Sequence, residues 1–315
     1  MTDRETPTTA DLAAAFRLRH IDDSSLTPHA RVYRAISGDG AAVVLKRTPG
    51  DAERTTALVA WTEALAGADV PVVTPVPMQA PNPREVDGEH WVVYPWVGGA
   101  DYQGTSEQIR LAGDFLGRMH AAAVPTAGLR EYGWPETGWD DVATDLETLD
   151  GILTAHEGDV ANVRELGRRW WEESFPAVRA GEEALARTAV SSDYKANNLI
   201  FTDAGPVLVD PDNGGLEPRI FDLALALTLF HNECPGAPGR LFTAEEWRTF
   251  AGAYFRHVQF SEAERGLWPA ALDHMLWEEG TWVLEDNDDA AWADPRQRAF
   301  LLDLAAAKPE RYPLP

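Results

Sequence analysis

The sequence predicts an α+β chain in two lobes, a small N-terminal β-sheet lobe over residues 1–97 and a larger, mainly helical lobe over 98–315. Three observations predict it. Short apolar runs bounded by turn residues crowd the N-terminal part, as in Val32 to Ile36 and Ala42 to Lys46 on either side of Ser37-Gly-Asp-Gly40. Helical periodicity dominates from Ser106 onward. Between them, Trp91-Val-Val-Tyr94-Pro-Trp-Val97 reads as a strand entering Gly98-Gly99, a natural connector between lobes.

At 315 residues and 34.6 kDa the chain is long enough for a full core in each lobe. A hydrophobic content of 44% with 12 Trp argues against disorder. The single cysteine, Cys234, excludes an internal disulfide framework, and no long apolar run marks export or a membrane span. The expectation is a soluble cytoplasmic protein, monomer or homodimer. Lys plus Arg number 27 against 51 Asp plus Glu, a formal net charge of −24. That field repels nucleic acid and anionic membrane and attracts small cations, although acidity also serves plain solubility.

In chain order, Ala10 to His20 reads as an opening helix running into a strand near Arg17 to Ile21, followed by a polar loop from Asp22 to His29. After the hairpin ending at Lys46, Asp51 to Ala68 carries Leu58, Trp61 and Leu65 on one helical face. Prolines hold Val70 to Pro77 extended. Ile109, Leu111, Ala112, Phe115, Leu116 and Met119 predict an amphipathic helix from Ser106 to Ala123, and further helices are expected over Asp141 to Ala155 and Val160 to Ala186.

The stretch Val190 to Leu227 organises the rest. Asp193 is followed by Asn198, an apolar run to Phe201, the turn Asp203-Ala-Gly, a second run Val207 to Val209, and Asp210. Two short strands joined by a tight turn bring these polar ends back to one edge. Converging oxygens suit Mg²⁺, which takes one or two carboxylates plus phosphate oxygens and leaves another carboxylate free as a base. The bland alternative is a hairpin with solvated acidic ends. An Asp base, an Asn and a metal-binding Asp after a strand follow one another in the same order in protein kinases.

The segment resembles the core of the aminoglycoside phosphotransferase family, a kinase-like group that also contains choline and homoserine kinases. Its H-G-D-x-x-x-x-N, I-D-F and D-L-A elements become Ser191-Ser192-Asp193 with Asn198, Val209-Asp210-Pro211 and Asp222-Leu223-Ala224. Two serines replace the His-Gly pair, whose histidine braces the loop in the family, so loop geometry is the feature placed in question. The resemblance implies a bilobal protein-kinase-like fold using ATP and Mg²⁺. Asp193 would be the base, with Lys195 adding positive charge. Asn198 and Asp210 would hold Mg²⁺, with Asp212 a supporting acid or minor contact. Lys46 in Val43-Val-Leu-Lys46 would meet the α- and β-phosphates and pair with a helix glutamate, Glu53 or Glu63. Tyr94, Trp96 and Val97 would border adenine, the loop Asp22 to Ala30 would cover the phosphates, and Asp222 would tie down the catalytic loop or cap a helix. His120, in Arg118-Met119-His120, is expected to pack or cap.

The C-terminal third is aromatic and acidic. Glu278, Trp282, Glu285 and Asp289 recur at helical spacing, with Trp277 beside them. Carboxylates with Trp faces suit an amine- or guanidine-bearing substrate. The alternative is that the tryptophans are core and the acids solvated. Since no zinc ligand set, G-x-S-x-G elbow or Walker loop occurs, those readings are set aside. The expected activity is phosphoryl transfer from ATP to a hydroxyl of a small, polar, cationic antibiotic. The alternatives are a metabolite kinase acting on an amino sugar, a choline-like amino alcohol or homoserine, and a kinase-fold binding protein without catalysis.

Overall fold

The computed structural model describes residues 6–27 and 30–315. Helix α1 (Thr9–Phe16) starts at a capping box in which Thr8 and Asp11 satisfy each other's backbone N–H groups, and it buries Leu12 and Phe16. Strands β1 (His20–Ile21), β2 (Val32–Ile36) and β3 (Ala42–Thr48) then run antiparallel. The β2–β3 turn is closed by Ser37, whose Oγ accepts from the Ala41 N–H at 2.9 Å. After helix α2 (Ala52–Gly67), strands β4 (Arg84–Val86) and β5 (Glu89–Pro95) complete a sheet of order β1-β2-β3-β5-β4. Leu45, Trp91 and Val93 from its centre pack with Leu12 and Phe16 in a core of their own.

Helix α2 buries Leu58, Trp61 and Leu65, but against the helical remainder of the chain, not against that small core. Its N-terminus is capped by Asp51, whose carboxylate accepts from the Arg54 N–H at 2.9 Å. Helix α2 therefore ties the sheet to the site below it.

The helical remainder begins with α3 (Ser106–Ala121), β6 (Arg130–Glu131), α4 (Trp139–Ala155) and α5 (Val160–Arg169). A π-turn at Trp170–Ser174 leads into α6 (Phe175–Gly181). Strands β7 (Arg187–Val190), β8 (Leu199–Thr202), β9 (Gly205–Leu208) and β10 (Gly215–Pro218) follow. The hairpin β8–β9 closes around Asp203-Ala204, while β10 lies between β6 and β7. Helices α7 (Arg219–Leu229), α8 (Ala244–Tyr254) and α9 (Glu262–Met275) build the core. A second π-turn, Leu276–Gly280, joins α9 to α10 (Thr281–Asp286), before α11 (Asp289–Ala293) and α12 (Pro295–Ala305). Helices α3 and α8 meet backbone to backbone, since a Cβ on Gly113 or Gly117 would collide with the carbonyls of Phe250 and Tyr254.

Two expectations are corrected here. The acidic face from Glu278 to Asp289 does not form, because α10 ends before Asn287 and Asp289 opens a separate helix. Asp222 is not a helix cap: Pro218 holds the N-cap position of α7, and Asp222 is fully buried. Among the described residues no helix is long and apolar enough to cross a membrane.

Candidate active site

The site forms where the hairpin β8–β9 returns the chain beneath the sheet. Val209 N–H donates to Asn198 O at 2.9 Å, so the end of the first strand's approach lies beside Asp210. Asn198 closes a short 3₁₀ turn and donates its amide to Asp193, at 2.9 Å to the backbone carbonyl and 3.0 Å to Oδ2. That use of the amide nitrogen leaves Asn198 Oδ1 as the atom offered to a cation. Lys195 Nζ sits 3.2 Å from Asp193 Oδ1. Burial pushes the Asp193 carboxyl above its ordinary range, the Lys195 ammonium works against this, and the Asp210 charge adds to it.

Lys46, on β3, reaches down between two carboxylates. It hydrogen-bonds Asp210 Oδ1, and its Nζ lies 3.2 Å from Asp212 Oδ2. Burial by itself would depress the Lys46 ammonium, but the two carboxylates outweigh it and hold the group above its usual value. Asp212 is 3% exposed and neither of its oxygens is engaged in a hydrogen bond, so its contact with Lys46 is an ion pair only. Burial drives its carboxyl up, and Lys46 offsets part of that. A buried carboxylate paired only with Lys46, beside Asp210 and an unengaged Asn198 Oδ1, is a hard-oxygen donor set, which fits a divalent ion of the Mg²⁺ type.

The expected partner glutamate is corrected. Glu53 and Glu63 both lie on the exposed face of α2. The cap at Asp51 sets the helix phase so that Arg54, Leu58, Trp61 and Leu65 face inward. Arg54 Nη2 donates to the Asp212 carbonyl at 2.8 Å, so α2 holds the loop carrying the acids and does not hold the lysine.

At the connector, Tyr94 is buried beside Val73 and Val92, with Val44, Val97, Val207 and Val209 packed around them. Trp96 is 40% exposed and stacks on the Arg34 guanidinium at 4.7 Å, and its N–H donates to Ala42 O at 3.2 Å. The Trp96 N–H is therefore committed to the sheet. Of the loop from Asp22 to Ala30, Pro28 and His29 lie outside the described residues.

Behind the catalytic loop, Asp222 accepts from the Ser192 N–H at 2.8 Å and pairs with His120 Nε2 at 2.8 Å. His120 Nδ1 in turn meets the Tyr254 hydroxyl at 2.9 Å. His120 is thus part of a buried hydrogen-bond chain. Ser191 contributes no such brace, since its buried Oγ has no partner.

A cavity of about 330 Å³ opens beside Ser192, walled by Arg130, Tyr132, Glu217, Leu225, Met275 and Glu279. Burial and then the Asp193 charge raise the Glu279 carboxyl. Glu278 is pushed up to about 7 by burial, then by Glu279 and Asp145. Trp277 is corrected as a substrate contact: it is 3% exposed, stacked on Trp170 at 5.3 Å and pressed against Gly167. Trp282 is 55% exposed, and Glu285 also lies on the outer surface of α10. Sequence reasoning missed Glu217, Arg130, Tyr132 and Asn213, whose Nδ2 lies 3.4 Å from Asp193 Oδ2.

A small antiparallel lobe delivering one buried lysine to a loop of Asp, Asn and Asp on a helical lobe defines a protein-kinase-like phosphotransferase. Residues 29–268 match the family described as "Phosphotransferase enzyme family" (APH), and the chain belongs to that family. It is 27% identical over 241 residues to stress response kinase A of Shigella flexneri, covering 73% of this chain and 65% of that protein. The Escherichia coli K12 protein of the same name is 28% identical over the same span. The chain thus matches just under two thirds of the length of these relatives. Among solved structures, a microcompartment-associated aminopropanol kinase superposes with a TM-score of 0.65 at 16% identity, covering 96% of both chains. An amicoumacin kinase in complex with AMP-PNP, Ca²⁺ and Ami gives 0.66 at 17% identity, over 98% of this chain and 95% of the other. At these identities the superpositions speak to the fold.

Proposed function

We propose that this protein transfers the γ-phosphate of ATP to a hydroxyl of a small, polar, cationic acceptor. Residues 1–97 are taken as the nucleotide lobe and 98–315 as the lobe that carries catalysis and the acceptor. The observation that carries the reading is the Asp193 carboxylate, held by Asn198 and Lys195, next to the Lys46 and Asp210 pair.

Magnesium bound with ATP would neutralise charge on the β- and γ-phosphates. Asn198 and Asp210 are the residues to hold it, with Asp212 supporting. Lys46 would turn from the carboxylates to the α- and β-phosphates, and the valine cluster around Tyr94 is apolar enough to sandwich adenine, with Val97 next to the connector. Asp193 orients the acceptor hydroxyl and takes its proton as the oxygen bonds to the γ-phosphorus and the bond to the bridging oxygen of ADP breaks. Its raised basicity suits that task. Lys195 supplies positive charge beside the transferring group, and positioning does most of the rest.

For the acceptor, Glu278 and Glu279 support a cation, since both carboxylates are half-buried and held above their ordinary range. Within that class we favour an aminated antibiotic over an amino alcohol or amino sugar. Trp282 and Glu285 on α10 would act at the outer rim. A second reading takes a protein hydroxyl as acceptor, because the Salmonella typhimurium relative, 27% identical over 176 residues, is described as a serine/threonine protein kinase.

The test is ADP release with Mg²⁺ and ATP against a panel of aminoglycoside, peptide and nucleoside antibiotics, amino alcohols, amino sugars and a basic protein. Release confined to an antibiotic class supports the favoured reading, and release with an amino alcohol or amino sugar moves the protein to metabolism. Transfer of labelled phosphate to the protein alone supports the second reading. ATP binding without turnover in any arm overturns phosphotransfer and leaves a binding protein.

A further inference from the structure

The residue immediately before Asp193 is held in an unusual way. Ser192 has φ +53°, a left-handed conformation that a residue with a Cβ resists. Two hydrogen bonds hold it there. Its N–H donates to Asp222 Oδ1 at 2.8 Å, and its Oγ donates to Glu217 Oε1 at 2.7 Å. Glu217 is 6% exposed and belongs to β10, whose antiparallel pairing with β7 sets Gly215 opposite Val190 and Glu217 opposite Thr188. Residues two apart on a strand share a face, so Gly215 and Glu217 point the same way, alongside the stretch of β7 from Thr188 to Val190 that leads into Ser192. A Cβ on Gly215 would lie 3.0 Å from Glu217 Oε1 and 3.2 Å from Ser192 Oγ. The absent side chain at Gly215 leaves the room in which the two side chains meet.

We propose that Glu217 is a positioning residue: through Ser192 Oγ it holds the backbone before Asp193 in its left-handed turn and so fixes where that carboxylate points. A carboxylate is a costly group to bury on β10 for ordinary packing, and burial does push Glu217 up to about 7. The bond to Ser192 gives it a use that an apolar residue cannot supply. Ser192 is also one of the two positions where the expected His-Gly pair is missing. Glycine adopts positive φ freely, so a serine there needs a brace that a glycine does not. Glu217 and Ser192 therefore act as one unit. The proposal rests on Asp193 being the group that orients the acceptor.

The experiment is a double-mutant cycle read in Mg²⁺-ATP turnover, with water as acceptor, and in thermal melting. Glu217→Ala should lower kcat at least tenfold in the Ser192 background and less than threefold in the Ser192→Gly background, with the KM for ATP unmoved in both. Glu217→Gln, whose amide oxygen still accepts from Ser192 Oγ, should recover most of the loss. Equal losses in the two backgrounds would overturn the proposal, since Glu217 would then act directly and not through Ser192. If the wild-type protein turns over no ATP with water or with any acceptor of the panel, phosphotransfer fails but the clamp is still read in melting. There, Ser192→Gly should cancel most of the destabilisation caused by Glu217→Ala, and an undiminished loss would reject the clamp.

Discussion

The two sides of Asp193, the carboxylate proposed as the base, differ in how their charges are matched. On the nucleotide side, Lys46 stands between Asp210 and Asp212, so opposite charges meet within the chain. On the side proposed for the acceptor, burial raises both Glu278 and Glu279; Glu279 and Asp145 add to the first, Asp193 adds to the second, and Arg130 eases Glu279. A buried charge without a partner is unfavourable, and it persists where a ligand completes it. The Lys46 side carries its own counter-ion, whereas the Glu278 and Glu279 side is short of one.

The largest expected effect lies between the two. Asp193→Ala should lower phosphotransfer by about 10² to 10⁴, roughly 3 to 5 kcal/mol, with ATP binding by calorimetry nearly intact. Unaltered turnover would remove the group that the comparison pivots on. Trp277→Ala should cost about 3 to 5 kcal/mol of stability in a denaturant titration, because it empties a stacked core site against Trp170. Trp282→Ala should stay within about 0.5 kcal/mol, so any contact with the acceptor would appear as a raised KM.

The unmatched side should also show in the pH dependence of folding. Burial, with Glu279 and Asp145, pushes the folded-state Glu278 carboxyl up from its ordinary 4.5 to about 7. Between those values the native state holds more protons, so its stability falls as pH rises through that window and stays lower above it. Glu278→Gln should therefore stabilise the protein at pH 8 by about 1 to 3 kcal/mol, with the gain vanishing near pH 4.5. A gain that persists at pH 4.5 would trace the effect to packing instead of charge. Last and smallest, Glu53→Ala should change ATP affinity by less than twofold, since its side chain is turned to solvent. A tenfold loss would restore the helix glutamate as the partner of Lys46.

Much of this was legible where local rules act. The hairpin through Asp203-Ala204 follows from alternating apolar runs and a turn, and it set Asn198 beside Asp210 in sequence terms. The choice between Glu53 and Glu63 was not legible, because the phase of α2 depends on its cap at Asp51 and on burial of Trp61 against the other lobe. Trp277 was misread for a different reason. The π-turn at Leu276–Gly280 adds a residue and shifts the helical phase by about 100°, which the regular 3.6-residue period cannot register. Glu217 and Ser192 lie 25 residues apart and meet only through the pairing of β10 with β7, so no local pattern joins them.

The close approach of α3 and α8 bears on how such a protein diversifies. Gly113 and Gly117 let α3 seat directly on the α8 backbone, which brings Tyr254 to His120, His120 to Asp222, and Asp222 to the loop before Asp193. That scaffold is sterically tight, because a methyl at Gly117 would already lie 2.6 Å from the Tyr254 carbonyl. Glu278, Trp282 and Glu285 hang from a different part of the chain, the second π-turn and α10. Substitutions there leave the packing that holds the loop before Asp193 untouched, so under the proposed function the acceptor can change while that loop keeps its footing.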